Sequence, residues 1–217
     1  MKSNKKNIAI CFWGQTRTFK TLKNTYEGLD HKDINFDYFI STWNDFDDKS
    51  KFKSFTKKEF IDPNILKFKN HTDRALYCIH RVNNLKTQNE LEKGFIYDYI
   101  FWARSEIQFE TKYLLKYFID KLENNKPLEI NTHSSIRYEQ GLCRLDADYY
   151  FGGTSLAFDL FASGWKYYFR SKGSDSLQGT TGGHHAHAFV IEKFNLDNIR
   201  YKLPHQFLFN KLKEKEV

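Results

Sequence analysis

Apolar residues along the 217-residue chain alternate between continuous runs and a helical spacing. The run Ile8-Ala-Ile-Cys-Phe-Trp13 ends in Gly14 and reads as a strand buried on both faces, as in a parallel sheet. Phe36-Asp-Tyr-Phe-Ile-Ser-Thr-Trp43 and Tyr97-Asp-Tyr-Ile-Phe-Trp-Ala103 read the same way. Between them, Ala75, Cys78, Ile79, Val82 and Leu85 recur at i, i+3, i+4 spacing, which predicts a helix over about 73–92 that Gly94 can stop. The polar turn Gly14–Thr18 leads toward a helix over about 19–29. Residues 44–58 are rich in Asp and Lys without a period and read as a loop, with a short strand at 64–68. Leu114, Leu115, Phe118, Ile119 and Leu122 mark a further helix. Strand-like residues recur at 128–132 and 149–151, a helix covers roughly 155–170, and another starts after Gly182-Gly183.

This alternation of strand and helix predicts an α/β fold over 1–217 as a single domain: a mostly parallel central sheet with helices on both faces. The length suits one domain with a full core. Ligands of such sheets sit beyond the carboxyl ends of the strands. Three strand ends therefore carry the candidate chemistry: Gly14–Arg17, Ser41–Asn44 and Arg104–Glu106.

Composition refines this picture. With 21 Phe and 13 Tyr, the core is expected to be filled by aromatic rings, and exposed rings could stack on sugars. The formal charge of +7 admits nucleic acid, an anionic membrane or a phosphorylated small substrate. Lysines are spread along the chain and dense only at 49–58 and in the tail, so a solvated surface and a diphosphate ligand both fit. No RRM, zinc-finger or helix-turn-helix pattern supports specific nucleic-acid binding. Three cysteines without a CxxC pair argue against a disulfide scaffold and for a reducing, cytoplasmic setting, with Cys11 and Cys78 as core thiols. No run approaches the ~20 apolar residues of a transmembrane segment, and Gln15 and Arg17 end the first apolar run too soon for a signal peptide.

Gly14 lets a ligand approach the backbone, and Arg17 can give two charge-assisted bonds to a phosphate or a uracil carbonyl. The same residues also fit an ordinary strand-to-helix turn with a surface arginine. The turn lacks the G-K-[ST] ending of a P-loop, which disfavours an ATPase or kinase of that type.

Three segments together resemble a family of bacterial and viral glycosyltransferases of the GT-A type, with a Rossmann-like fold. They are Gly14-Gln15-x-Arg17-Thr18-Phe19 after the first strand, Asp37-Tyr-Phe-Ile-Ser-Thr-Trp43, similar to D-x-F-x-x-x-W, and Tyr97-Asp98 through Arg104-Ser-Glu106, similar to Y-D-x-x-x-x-x-R-x-D. Asp148-Tyr-Tyr-Phe-Gly152 is a weaker match to a D-x-x-x-G segment. The resemblance covers about residues 7–170. It implies a nucleoside-diphosphate sugar as donor and a glycan or other hydroxyl acceptor. Gly14, Gln15, Arg17, Thr42 and Trp43 would hold the nucleotide, while Arg104 and Glu106 would handle the diphosphate.

Many GT-A enzymes carry a D-x-D motif for Mn²⁺ or Mg²⁺ at the place occupied here by Arg104-Ser105-Glu106. One carboxylate and one cation make strong metal binding doubtful, and Arg104 could take over part of the metal's role. The pair also reads as a surface Arg–Glu contact. Asp148, then Asp146, is the candidate base for the attacking hydroxyl; either also fits a strand-flanking or capping Asp. In Gly182-Gly-His-His-Ala-His187, His184 and His187 would share a helix face, and His185 and His187 are candidate metal ligands beside Glu106. Polar contact without metal fits them as well. Residues 172–183 read as a mobile loop that could close over the donor. The missing D-x-D keeps open a different class, a non-catalytic nucleotide- or glycan-binding module.

Overall fold

The computed structural model describes residues 5–14, 26, 28–44, 54–62, 64, 71–105, 107–124, 128–132, 136–139, 142–145, 150–171, 200–202 and 209–211. Strand β1 (Lys6–Trp13) is central, flanked in parallel by β2 (Ile34–Trp43) and β4 (Tyr99–Arg104), and β3 (Lys57–Ile61) extends the parallel set beyond β2. On the other side β9 (Tyr150–Gly153) pairs antiparallel with β4 and with β6 (Ile130–Thr132), and β10 (Arg200–Lys202) closes that edge parallel to β6. The seven-stranded order is β10-β6-β9-β4-β1-β2-β3. Two small antiparallel pairs lie outside it: β5 (Ile107–Phe109) with β11 (Phe209–Lys211), and β7 (Ile136–Glu139) with β8 (Leu142–Leu145).

The central strands form because both of their faces find cover. Ala9, Cys11 and Trp13 of β1 join Ile100 and Trp102 of β4 on one face, in a core completed by helices α1 (His71–Lys93) and α3 (Ser155–Ser171). Ile8, Ile10 and Phe12 join Tyr99, Phe101 and Ala103 on the other, against α2 (Thr111–Asn124) and the rings of Tyr26 and Phe55. Helices thus cover both faces of a mostly parallel sheet, as the chain's periodicity implies. Aromatic packing dominates: the Trp102 ring centroid lies 4.2 Å from that of Phe158, and Phe101 makes edge contacts with Phe109 and Phe118. Cys11 and Cys78 are buried free thiols, and burial pushes the Cys11 thiol well above its ordinary pKa, so it is an inert core group.

Several element boundaries differ from the expectation. The third strand is Lys57–Ile61, inside and just beyond the stretch read as a loop, while most of 64–68 lies outside the described residues. Its polar Lys57-Lys58-Glu59 opening hides it from a periodicity reading and suits an edge strand, where lysines discourage further pairing. The helix expected over 19–29 is described only at Tyr26, and Gly28–Asp30 are not helical. The expected strand at 149–151 runs 150–153 and is the one reversed member of the main sheet.

Candidate functional site

The chain steps from β1 outward to β2 in one direction and reaches β4 on the other side of β1, so the strand order reverses between β1 and β4. In open α/β sheets the crevice outside the carboxyl ends at such a switch point is where ligands bind. Trp13 pairs with Ser41 on β2 and with Arg104 on β4, which places the ends of all three strands side by side. The ladder runs right to the mouth: Ser105 N–H donates to the Trp13 carbonyl at 3.0 Å, and Asn44 N–H donates to the Ile61 carbonyl at 2.8 Å.

Gly14 follows Trp13 with φ +96°, a backbone state that other residues rarely adopt. Nothing approaches within 4 Å of where its Cβ would stand, so conformation rather than space requires the glycine here. The Thr42 hydroxyl donates to the Gly14 carbonyl at 2.7 Å and pins this turn to β2. Thr42 is fully buried and spends its proton on the backbone, so its role at the crevice is to hold Gly14. Replacing Thr42 by Val removes that part-buried bond and leaves the Gly14 carbonyl short of a donor, a cost of about 1 kcal/mol. The expected result is a melting temperature lower by about 2–4 °C, read by calorimetry. An unchanged value would show that the turn holds itself.

Trp43 and Trp13 are both buried within the core cluster of that face. Each carries an arginine over its ring. The Arg104 guanidinium carbon lies 5.9 Å from the Trp13 centroid, and that of Arg74, in the first turn of α1, lies 5.7 Å from the Trp43 centroid. Helix α1 runs opposite to the strands, since Arg74 meets the carboxyl end of β2 while Lys93 reaches back to Asp37. Of the residues singled out from the sequence, the fold therefore brings Gly14, Thr42, Trp43 and Arg104 to one edge of the sheet. Gln15, Arg17, Glu106, Asp146, Asp148, His185 and His187 lie outside the described residues. Among the described residues no group of three or more His, Cys, Asp or Glu could hold a metal ion. No helix among them is long and apolar enough to cross a membrane.

Two features escaped the sequence reading. Arg74 is one: the helix was recognised by its apolar positions, which say nothing about a polar residue at its start. The other is a buried ionic cluster between α1 and α3. The Lys86 ammonium, fully buried, donates to Ser155 Oγ at 2.6 Å, Glu90 Oε2 at 2.9 Å and Asp159 Oδ1 at 2.9 Å. Ser155 Oγ in turn donates to Glu90 Oε1 at 2.7 Å, and Tyr97 N–H donates to the same oxygen at 3.0 Å. At the amino end of the sheet the Tyr97 hydroxyl donates to Asp37 Oδ2 at 2.6 Å, and burial together with that carboxylate pushes the phenol pKa up. An open groove of about 630 Å³ lies at this opposite edge, lined by Lys5, Asn7, Asp30, His31, Tyr38 and Lys93 among others. Its cations are partly spent, with Lys93 on Asp37 at 3.1 Å.

Neither a model of a known protein family nor a curated protein matches the chain.

Proposed function

We propose that this chain is a single-domain glycosyltransferase of GT-A type, moving a monosaccharide from a nucleoside-diphosphate sugar to a hydroxyl of a glycan or other acceptor. The observation that carries the reading is the switch-point crevice, where Gly14, just beyond β1, and Arg104, the last residue of β4, stand at adjacent strand ends. A diphosphate laid there meets backbone without a Cβ on one side and a permanent cation on the other. In the transfer, the bond between the anomeric carbon and the diphosphate oxygen breaks with its electron pair going to the diphosphate. The acceptor oxygen bonds to that carbon and gives up its proton. Negative charge grows on the leaving diphosphate as the bond breaks, so a fixed guanidinium there favours the transition state over the ground state. Asp148, or Asp146, is the proposed proton acceptor. Gln15 and Arg17 are proposed nucleotide contacts. Glu106 with His185 and His187 is the proposed place for Mn²⁺ or Mg²⁺ held jointly with substrate phosphates.

The chain is expected to melt higher in the presence of UDP or GDP, because a ligand selective for the folded state stabilises it. Arg104→Ala should weaken the preferred diphosphate by at least about tenfold, since a charge-assisted contact contributes about 1.5–3 kcal/mol. Absence of any shift across nucleoside diphosphates, with and without Mn²⁺, would defeat the proposal. The cation at Arg104, where many such enzymes carry a carboxylate, also supports a binding module without turnover. Diphosphate binding combined with no release of diphosphate from any donor sugar would select that second reading.

A further inference from the structure

We propose that the outer edge of β2, from Ile34 to Asp37, docks an extended peptide that adds to the sheet as a further strand and carries an apolar residue between two acidic ones. Backbone groups carry the argument. Lys6 N–H donates to the carbonyl of Asp33, just before β2, at 2.9 Å, so odd-numbered positions turn their N–H and C=O toward β1. Even-numbered positions turn theirs outward. Strand β3 meets β2 only from Phe39 on, in register Phe39 with Lys57 through Trp43 with Ile61. One step earlier Thr56 takes both groups of Tyr38: its N–H donates to the Tyr38 carbonyl at 2.8 Å, and its Oγ1 accepts from the Tyr38 N–H at 3.1 Å. At the other end the Ile34 N–H is spent on the His31 carbonyl at 3.2 Å. Between these stops the Ile34 carbonyl and both groups of Phe36 face the groove of about 630 Å³, whose lining includes the successive residues Ile34 through Tyr38. One donor and two acceptors at strand spacing are what the backbone of an extended peptide satisfies. Running antiparallel to β2, its central residue exchanges both hydrogen bonds with Phe36.

The two walls of the slot differ. A residue opposite Phe36 shares its face, where the half-buried Phe36 and Tyr38 rings and the core residues Leu29 and Ile34 offer apolar surface. The peptide residues on either side of it point the other way, toward the α1 side, where Asp37 meets Lys93 at 3.1 Å. On that wall the ammonium is the more open partner, the Lys93 side chain being 45 % exposed and that of Asp37 19 %. Asp37 also accepts from the Tyr97 hydroxyl at 2.6 Å and from Thr56 Oγ1 at 3.0 Å, which turns its charge inward. The exposed Lys5 lines the same groove. Acidic side chains flanking the apolar residue therefore meet ammonium groups. Asp30 is exposed beside His31, past the Ile34 end of the slot.

The test uses the full chain and three terminally blocked peptides: Ser-Glu-Val-Glu-Ser, the same peptide with a methyl group on the valine nitrogen, and Ser-Lys-Val-Lys-Ser. Calorimetry reads affinity, and hydrogen exchange reads the Phe36 amide. The glutamate peptide should bind and slow exchange at Phe36, while Ile10 and Phe101 stay as they are in the free chain. Methylation removes the donor to the Phe36 carbonyl and should weaken binding by about fivefold or more. The lysine peptide should bind at least about fivefold more weakly than the glutamate peptide. Lys93→Ala should weaken the glutamate peptide by about two- to fivefold, the effect of an exposed charge pair. Lys112→Ala, which removes an exposed charge from α2, should match the wild type. Unliganded melting temperatures show that both variants are folded. No binding of the glutamate peptide, or binding that leaves exchange at Phe36 unchanged, would overturn the proposal. Equal affinity for the methylated peptide would overturn strand addition, and equal affinity for the lysine peptide would overturn the acidic partner. Protection of Phe36 in the free chain that rises with protein concentration would put a second copy of this chain on the edge and overturn the peptide.

Discussion

Lys86→Met is expected to lower the unfolding free energy by about 3–5 kcal/mol, because breaking a buried ion pair strands the remaining charge. The ammonium is fully buried, and its three donors are all engaged, by Glu90, Ser155 and Asp159. Methionine matches its length but leaves two carboxylates facing each other across α1 and α3. Glu90 retains the Ser155 hydroxyl and the Tyr97 N–H, and the Asp159 side chain is 38 % exposed and can turn to water. Both reduce the penalty, which places the expected loss near the lower end. Against a domain stability of about 5–15 kcal/mol, that is a large fraction of the whole. Urea unfolding should show a lower midpoint with an unchanged slope. Adding Glu90→Gln to Lys86→Met should recover part of the loss, since the second change removes the more buried of the two stranded charges. A loss below about 1 kcal/mol for the single variant would mean that water already reaches the cluster.

The same cluster shows which parts of the molecule were legible from sequence. Strands β1, β2 and β4 were visible because they are buried on both faces, which leaves an unbroken apolar run whatever surrounds them. Lys86 was not visible. A lysine in an amphipathic helix reads as exposed, and its burial depends on Ser155 and Asp159, which arrive from a helix some 69 and 73 residues later. Strand β3 opens with charged residues because an edge needs no apolar run, and β9 carries nothing in its composition that fixes its direction. At the crevice, Gly14 and Arg104 could be named because strand ends are where ligands bind, a rule of topology that needs no side-chain detail. Thr42 and Trp43 close β2 at the carboxyl edge of the sheet. Their side chains, however, hold the turn and support Arg74, a distinction that depends on which way each residue faces.

Gly152 has a similar lesson, and its neighbour Gly153 gives the second large effect. In the sequence, Gly152 closes the D-x-x-x-G segment. In the fold, a Cβ at Gly152 would stand 2.5 Å from the Tyr99 hydroxyl and 2.7 Å from that of Tyr117, which are hydrogen-bonded to each other in the core. Packing alone therefore accounts for this glycine.

Gly153→Ala is expected to cost about 3 kcal/mol or more, at or above the upper end of what overpacking usually costs. The added Cβ would stand 2.2 Å from the Glu129 carbonyl oxygen and 3.1 Å from Ile130 Cα. Both are backbone atoms, so no rotamer change relieves the clash. Gly153 also sits between two neighbouring strands, in register with Ile100 of β4 and Ile130 of β6, and cannot step aside without disturbing one ladder. The weaker side yields. Strand β6 has three residues, and its approach to β9 is fixed by Thr154 N–H donating to the Glu129 carbonyl at 2.9 Å, the oxygen that the methyl would displace. Glu129, buried and paired with Lys121 at 2.6 Å, would be pushed out of register with it. Gly152→Ala should cost less, because hydroxyl ends of two side chains can shift where a backbone cannot. Hydrogen exchange separates the two. Gly153→Ala should raise exchange at Ile130 and Thr154 while leaving Ile10 and Phe101 protected, since β1 and β4 keep their own partners. Equal stability of Gly153→Ala and the wild type, with Thr154 still protected, would show that β6 does not approach β9 as closely as the structure places it.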